Sequence, residues 1–308
     1  MPATLAEHCD RIITAIKDNR VVPFFGAGVN LCGRPQGTAW QRGQYLPSGG
    51  ELSNHLAEKF RYPSDDKWDL LRVSQYIAAT EGTGPLYQEL RQLFNAAYPP
   101  TSLHEFFAAM PAYLRANGAT SSHLLIVTTN YDDLMERAFE AAGEQFDVVT
   151  YEAEDKLNRG RFWHWPPKGE AKLIEKPNKY RGLSPDERSV ILKIHGAINR
   201  ANSMRDSFVI TEDHYIDYLT RTDISNLIPV TLAQKLSQSH FLFLGYSLRD
   251  WNMRAILHRI WGEQRLSFNS WAIQLGAQPL DQRFWDKRNV EIFDVSLEDY
   301  IRELKARL

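Results

Sequence analysis

Leu124-Leu-Ile-Val127 runs directly into Thr128-Thr-Asn-Tyr-Asp132, and a helical pattern follows from Asp132 to about Ala142, where Gly143 stops it. A short apolar run, a polar turn and an amphipathic helix form the unit from which parallel sheets covered on both faces are built. The unit recurs on either side. Val21–Phe25 is an apolar strand closed by Gly26-Ala27-Gly28, residues 190–194 end at His195-Gly196, and residues 241–244 lead into Gly245-Tyr-Ser-Leu-Arg-Asp250. Phe146–Tyr151 and residues 271–275 and 290–295 read as further strands. The predicted fold is α/β: a Rossmann-like, doubly wound parallel sheet.

Between these strands lie recognisable helices. Leu5, Cys9, Ile12, Ile13 and Ile16 share one face, and Asp18-Asn19 ends that helix. Ser48 stands three residues before Glu51 in a capping-box pattern, with Leu52, Leu56 and Phe60 on the buried side. Residues 68–79, 86–97 and 103–114 are helical with no convincing strand among them, so 61–120 reads as a helical insertion. Met253, Ile256, Leu257, Ile260 and Trp261 line a helix that Asp250 caps and Gly262 stops. A closing helix spans 296–308, with Ser296 as its N-cap. Nothing repeats and no linker separates two halves; residues 1–308 read as one domain.

Composition narrows the class. At 308 residues, 43% hydrophobic and 24% charged, the chain has enough apolar material for a sizeable core. A net charge of −2 argues against binding nucleic acid by bulk electrostatics. Cys9 and Cys32 are the only cysteines, so there is neither a disulfide framework nor a Cys-x-x-Cys zinc pair. Neither signal-peptide order nor an apolar run near the ~18 residues of a membrane span occurs, and a cytoplasmic protein is expected.

Within 152–189, the stretch from 159 to 181 stands apart. It holds seven Lys/Arg against two Glu, interleaved with Phe162, Trp163, His164, Trp165 and Tyr180. Basic residues among aromatics suit a single nucleic-acid strand. With Pro166-Pro167 and no periodicity, a solvated loop that covers a pocket or meets a partner is the competing reading.

Polar chemistry concentrates at the strand ends. Gly26 and Gly28 allow a tight turn and close backbone approach to a pyrophosphate, although Leu31 stands where the third Gly of G-x-G-x-x-G belongs. Thr128, Thr129, Asn130 and Asp132 crowd one strand end, where ligands of doubly wound sheets bind. The alternative is that Asp132 caps the helix and Asn130 satisfies loop backbone. His195 and Gly245-Tyr246-Ser247 occupy two further strand ends. Together they suggest a nucleotide enzyme working on a ribose.

Taken in order, Gly-Ala-Gly, Thr-x-Asn-x-Asp, His-Gly and Gly-x-Ser resemble the sirtuins. The wording LPSGGEL, TTNYDDLMERAF, LKIHG and FLGYSLRDWN is similar to the sirtuin-like NAD-hydrolase domains of bacterial antiphage defence proteins. Departures from the deacylases are specific. Both zinc Cys-x-x-Cys pairs are missing, Asn30 replaces a Ser, Thr129 replaces a Gln, and no Asp-Phe-Arg follows the glycine loop. No metal or zinc ribbon is expected.

The resemblance implies hydrolysis of NAD, as substrate, to nicotinamide and ADP-ribose, and NAD depletion in antiviral defence. It assigns Asn130 to orienting water and the ribose hydroxyls, Asp132 to the nicotinamide carboxamide, and His195 to general base, with an imidazole pKa near ~6.5 suited to neutral pH. Gly26, Ala27 and Gly28 would hold the pyrophosphate, Gly245 and Ser247 the adenosine side, and Asn30, Thr128 and Thr129 complete the cofactor-contacting set. In layout the chain resembles the stand-alone sirtuin-like subunit paired with a HerA-type ATPase, which implies control by homo-oligomerisation or by that partner. Two other classes stay open: a subunit that senses NAD or ADP-ribose without turnover, and a nucleic-acid-binding or nuclease subunit using 159–181. No membrane partner is expected, and protein deacylation ranks last.

Overall fold

Strands whose every side chain is buried belong in the middle of a sheet covered on both faces. Four strands longer than two residues meet that description in the computed structural model, which describes residues 4–35, 37–220, 224–247 and 268–308. They are β1 (Val21–Phe25), β2 (Leu125–Thr128), β6 (Ser189–Lys193) and β10 (Ser270–Ile273). With β3 (Phe146–Tyr151), β4 (Phe162–Trp165), β5 (Lys172–Leu173), β9 (His240–Leu244) and β11 (Val290–Phe293) they make one sheet. Among the described residues its order is β11-β10-β9-β1-β2-β6-β3-β4-β5. All pairings from β11 across to β3 are parallel, as expected.

Side chains alternate between two apolar layers. Val22, Phe24, Val127, Leu192 and Phe243 face α7 (Glu212–Thr220), α9 (Val230–Ser237) and α10 (Pro279–Asp286), with Tyr215, Tyr218, Leu232 and Trp285 in that cluster. Val21, Phe25, Ile126, Ile191 and Leu244 share the opposite cluster with α1 (Leu5–Lys17), α5 (Ser102–Ala116), α6 (Leu134–Ala141) and α11 (Leu297–Lys305). Each fully buried Leu, Ile or Phe contributes about 1.5–3 kcal/mol. The ends of α11 and α1 match the sequence expectation: Ser296 accepts from the Asp299 amide, and Asp18 and Asn19 terminate α1.

Segment 61–120 divides between two environments. α3 (Leu70–Thr80) and α4 (Thr83–Phe94) join α2 (Gly49–Lys59) in a third apolar cluster containing Leu56, Ile77, Leu90, Leu134 and Phe208. α5 instead lies on the sheet, where Phe107 packs 5.3 Å from Phe25. The capping box of α2 forms as predicted, and Arg34 grips the same Glu51 carboxylate.

The loop reading of 159–181 needs correction. β4 extends the sheet antiparallel to β3, and β5 pairs antiparallel to β4. Phe162 and His164 turn inward, and His164 is satisfied by partners remote in sequence: Asp147 at 2.9 Å and the Tyr180 hydroxyl at 2.7 Å. Trp163 and Trp165 are half-buried beneath the Arg205 guanidinium, which stands 4.7 and 5.5 Å from their rings. The helix expected after Asp250, with its apolar face, lies outside the described residues. No helix among the described residues is long and apolar enough to cross a membrane.

Candidate functional site

Register places the carboxyl ends of the strands in one row. Leu244, Phe25, Thr128 and Lys193 are successive partners across β9, β1, β2 and β6. The motifs singled out in the sequence all begin within two residues beyond that row. The chain builds outward from β1 through β2 and returns on the other side at β9, so the strand order reverses between β1 and β9. In doubly wound sheets ligands bind at such a reversal.

On the β1–β9 side the joint is backbone against backbone. The Gly26 amide donates to Leu244 O and the Gly28 amide to Gly245 O, both at 2.9 Å. A Cβ on Gly28 would lie 2.8 Å from Gly245 Cα. Gly245 has φ +73°, and a Cβ there would lie 2.3 Å from the Val29 nitrogen. These glycines are required by the approach of two turns to each other, and the amides of Gly26 and Gly28 are engaged in it. Ala27 is half-buried and opens a short 3-10 turn; Ser247 is exposed. Tyr246 stitches the joint to β2, its hydroxyl donating to Phe25 O at 3.1 Å and meeting Thr129 Oγ1 at 2.6 Å.

On the β2–β6 side the links are side chains. Thr128 Oγ1 donates to Phe25 O at 3.0 Å and accepts from the Asn130 amide at 2.9 Å. Asn130, buried, donates from Nδ2 to Gly26 O at 3.2 Å. Asp132 accepts from Asn30 Nδ2 at Oδ2, 2.8 Å, and from the Leu134 amide at Oδ1, 3.0 Å. The geometry thus includes the helix-entry contact and the loop-backbone contact weighed in the sequence. The structure brings Asn30, Asn130 and Asp132 together around the mouth of β1 and β2.

His195 stands two residues beyond the end of β6 and is 3% exposed. Tyr215 and Tyr218 of α7 meet its ring edge-on at 5.4 Å each, and the Tyr215 hydroxyl lies 3.4 Å from Nδ1. Burial drives its pKa down to about 3, so the imidazole is neutral at neutral pH and far from the ordinary value near ~6.5. Nε2 of His195 and Oδ1 of Asn30 are buried with no hydrogen-bond partner among the described residues.

Several residues were not singled out in the sequence. Lys193, buried, donates from Nζ to the Asp132 carbonyl and pairs with Glu136 at 2.7 Å. Burial raises the Glu136 carboxyl even with Lys193 beside it. His104, also buried, feels both Asp132 and Lys193, and burial takes its pKa to about 4. Tyr131 donates to Val209 O at 2.7 Å, while the Val209 amide donates to His195 O at 2.9 Å, joining the two motif loops. The available signal was positional: Lys193 precedes His195 by two, and Glu136 lies one helical turn after Asp132. Among the described residues no group of three or more His, Cys, Asp or Glu is placed to hold a metal.

Strand order, glycine joint and polar carboxyl edge define a doubly wound α/β protein of Rossmann-like architecture. A family profile described as SIR2-like domain matches residues 124–293, more than half of the chain, and the chain belongs to that family. It is 27% identical over 255 residues to the NAD(+) hydrolase ThsA of Acinetobacter baumannii, covering 82% of this chain and 41% of that protein. It is 25% identical over 299 residues to defense-associated sirtuin 2 of Bacillus subtilis, covering 95% and 25%. Another ThsA, from Enterococcus faecium, is 26% identical over 252 residues, covering 81% and 42%. The chain spans under half the length of each of these relatives.

Proposed function

We propose that this protein hydrolyses NAD to nicotinamide and ADP-ribose. The observation that carries the reading is a pair of buried polar atoms with no partner among the described residues, Asn30 Oδ1 beyond β1 and His195 Nε2 beyond β6, on either side of the β2 end that bears Asn130 and Asp132. A buried polar atom without a partner is costly. A ligand rich in hydroxyl and amide donors relieves both. The names of the relatives, two of them NAD(+) hydrolases, support the same substrate.

The chemistry suits what the site holds. The bond to be broken joins the ribose anomeric carbon to a pyridinium nitrogen, and its electron pair neutralises the nicotinamide as it leaves, so no general acid is needed. Water adds to the oxocarbenium-like carbon and releases one proton to solvent. With the Nδ1 proton directed at Tyr215, neutral His195 accepts at Nε2 from a ribose hydroxyl. Asn130 orients the hydroxyls and the water, while Asp132 with Asn30 Oδ1 takes the carboxamide protons. The pyrophosphate is read as lying over Ala27 and the 3-10 turn, beside the Gly26–Gly28 joint, with Gly245 and Ser247 toward the adenosine.

In this reading the activity depletes NAD in antiphage defence, which the name of the Bacillus subtilis relative supports. Control by self-assembly or by a HerA-type ATPase belongs to the same proposal. Nicotinamide release from NAD by purified protein, alone and with partner, tests it beside Asn130→Ala and His195→Ala. Each variant is expected to lose at least roughly 100-fold. Absence of nicotinamide under every condition refutes hydrolysis; wild-type rates in both variants refute the site. NAD binding without turnover would favour the sensing reading.

A further inference from the structure

A lysine in the middle of a sheet is expensive to bury unless something in the fold requires its charge. Lys193 is 1% exposed, and its stem alone would fill the same space as a methionine. Its ammonium spans two elements. It donates to the Asp132 carbonyl in the loop after β2 and to Glu136 Oε1, at 2.7 Å, in the first turn of α6. Glu136 Oε2 is buried with no partner among the described residues, so Lys193 is the contact that holds this carboxylate.

The position of the lysine matters as much as its partners. Lys193 is the β6 partner of Thr128, the last residue of β2, and it stands two residues before His195. One strand end therefore carries both the imidazole whose Nε2 has no partner among the described residues and the ammonium that grips the loop bearing Asn130 and Asp132. Asp132 is fixed at three points: Asn30 and the Leu134 amide take its carboxylate oxygens, and Lys193 takes its carbonyl. Only the last crosses to the strand of His195.

We propose that Lys193 is a positioning residue that fixes the Asp132 end of the Asn130–Asp132 loop relative to His195, where the Tyr131–Val209–His195 link already holds the middle. The inference rests on the hydrolase reading for its consequence, though not for its geometry. Loss of the clamp lets the loop shift against the imidazole by a fraction of an ångström. Misplacement on that scale costs the chemical step more than it costs binding.

The test uses full-length Lys193→Met and the double variant Lys193→Met/Glu136→Leu. The single variant strands a buried carboxylate and is expected to melt at a lower temperature. The double variant removes both charges and is expected to recover most of that loss. If Lys193 positions the loop, kcat for nicotinamide release stays down by roughly 100-fold in both variants, with KM within about threefold. Recovery of kcat together with melting temperature in the double variant overturns the proposal, because Lys193 would then only neutralise Glu136. Wild-type kcat in the single variant overturns it too. If the wild-type protein releases no nicotinamide, the hydrolase reading alone has failed, and amide exchange judges the clamp. In the double variant the Leu134 amide is expected to exchange at least about tenfold faster while the rest of α6 is unchanged. Exchange at the wild-type rate refutes the clamp.

Discussion

The carboxyl edge of this sheet is built in two ways. Between β1 and β9 the contact is main chain on main chain, with Gly26, Gly28 and Gly245 packed too closely for any Cβ. From β1 across β2 to β6 it is a mesh of side chains: Thr128 and Asn130 reach back to β1, and Lys193 of β6 reaches Glu136 and the Asp132 carbonyl. A backbone joint fails all at once, because a methyl group there has no rotamer through which to escape. A side-chain mesh fails by degrees, one donor at a time. Substitution should therefore separate the halves by the size of the damage.

The hardest test of the difference is Gly245→Ala. It combines φ +73° with a Cβ 2.3 Å from the Val29 nitrogen. The expected loss exceeds about 3 kcal/mol in urea unfolding, or soluble protein is not recovered. A loss below about 1 kcal/mol would mean that the two turns are free to part and that the glycines serve something else.

Next in size is the response to acid, to which His195 and His104 contribute from the side-chain half and His8 from the β10–β11 edge. His104 and His195 have folded pKa values of about 4 and about 3, and His8, beneath α11, about 3, with burial the largest cause in each. All lie below the unfolded value near ~6.5, so unfolding takes up protons between these limits. Stability is complete above about pH 6.5 and falls as the pH descends toward 4 and 3. Between pH 7 and 5.5 each histidine accounts for about 1 kcal/mol, or about 3 kcal/mol together. Urea midpoints across that range, repeated on His195→Gln, should show a shallower slope, smaller by about 1 kcal/mol over the interval. An unchanged slope would place His195 in water.

Thr128→Val gives the smallest effect. It removes the hydroxyl that donates to Phe25 O and accepts from the Asn130 amide, at an expected cost of about 1–2 kcal/mol. A loss as large as that of Gly245→Ala would erase the distinction between the two halves.

How much of this could be read from the residues alone depended on the range of the interactions involved. The central strands were legible because residues 124–127 and 241–244 are apolar on both faces, which only a covered parallel strand needs. The capping box of α2 was legible because Ser48 and Glu51 lie three residues apart. β4 was not, since its inward His164 is made tolerable by Asp147 and Tyr180, 17 and 16 residues away. Lys193 reads as a solvated charge until α6 brings Glu136 to it across 57 residues. The glycines were noticed for their freedom near a phosphate. Their nearest neighbour is instead a turn more than 200 residues later in the chain.

The glycine joint has a consequence for ligand choice. Where Gly26, Gly28 and Gly245 meet, the joint is main chain on main chain with the Tyr246 ring against Gly26, and a ligand at the proposed site would lie over peptide groups there. Peptide groups do not tell one nucleotide from another by side-chain shape or charge. At the proposed site, discrimination rests on the side chains around that joint, among them Asn30, Asn130 and His195, with Tyr246 at the seam. Retuning that site toward another ligand is thus a matter of replacing those side chains while leaving the glycine joint untouched.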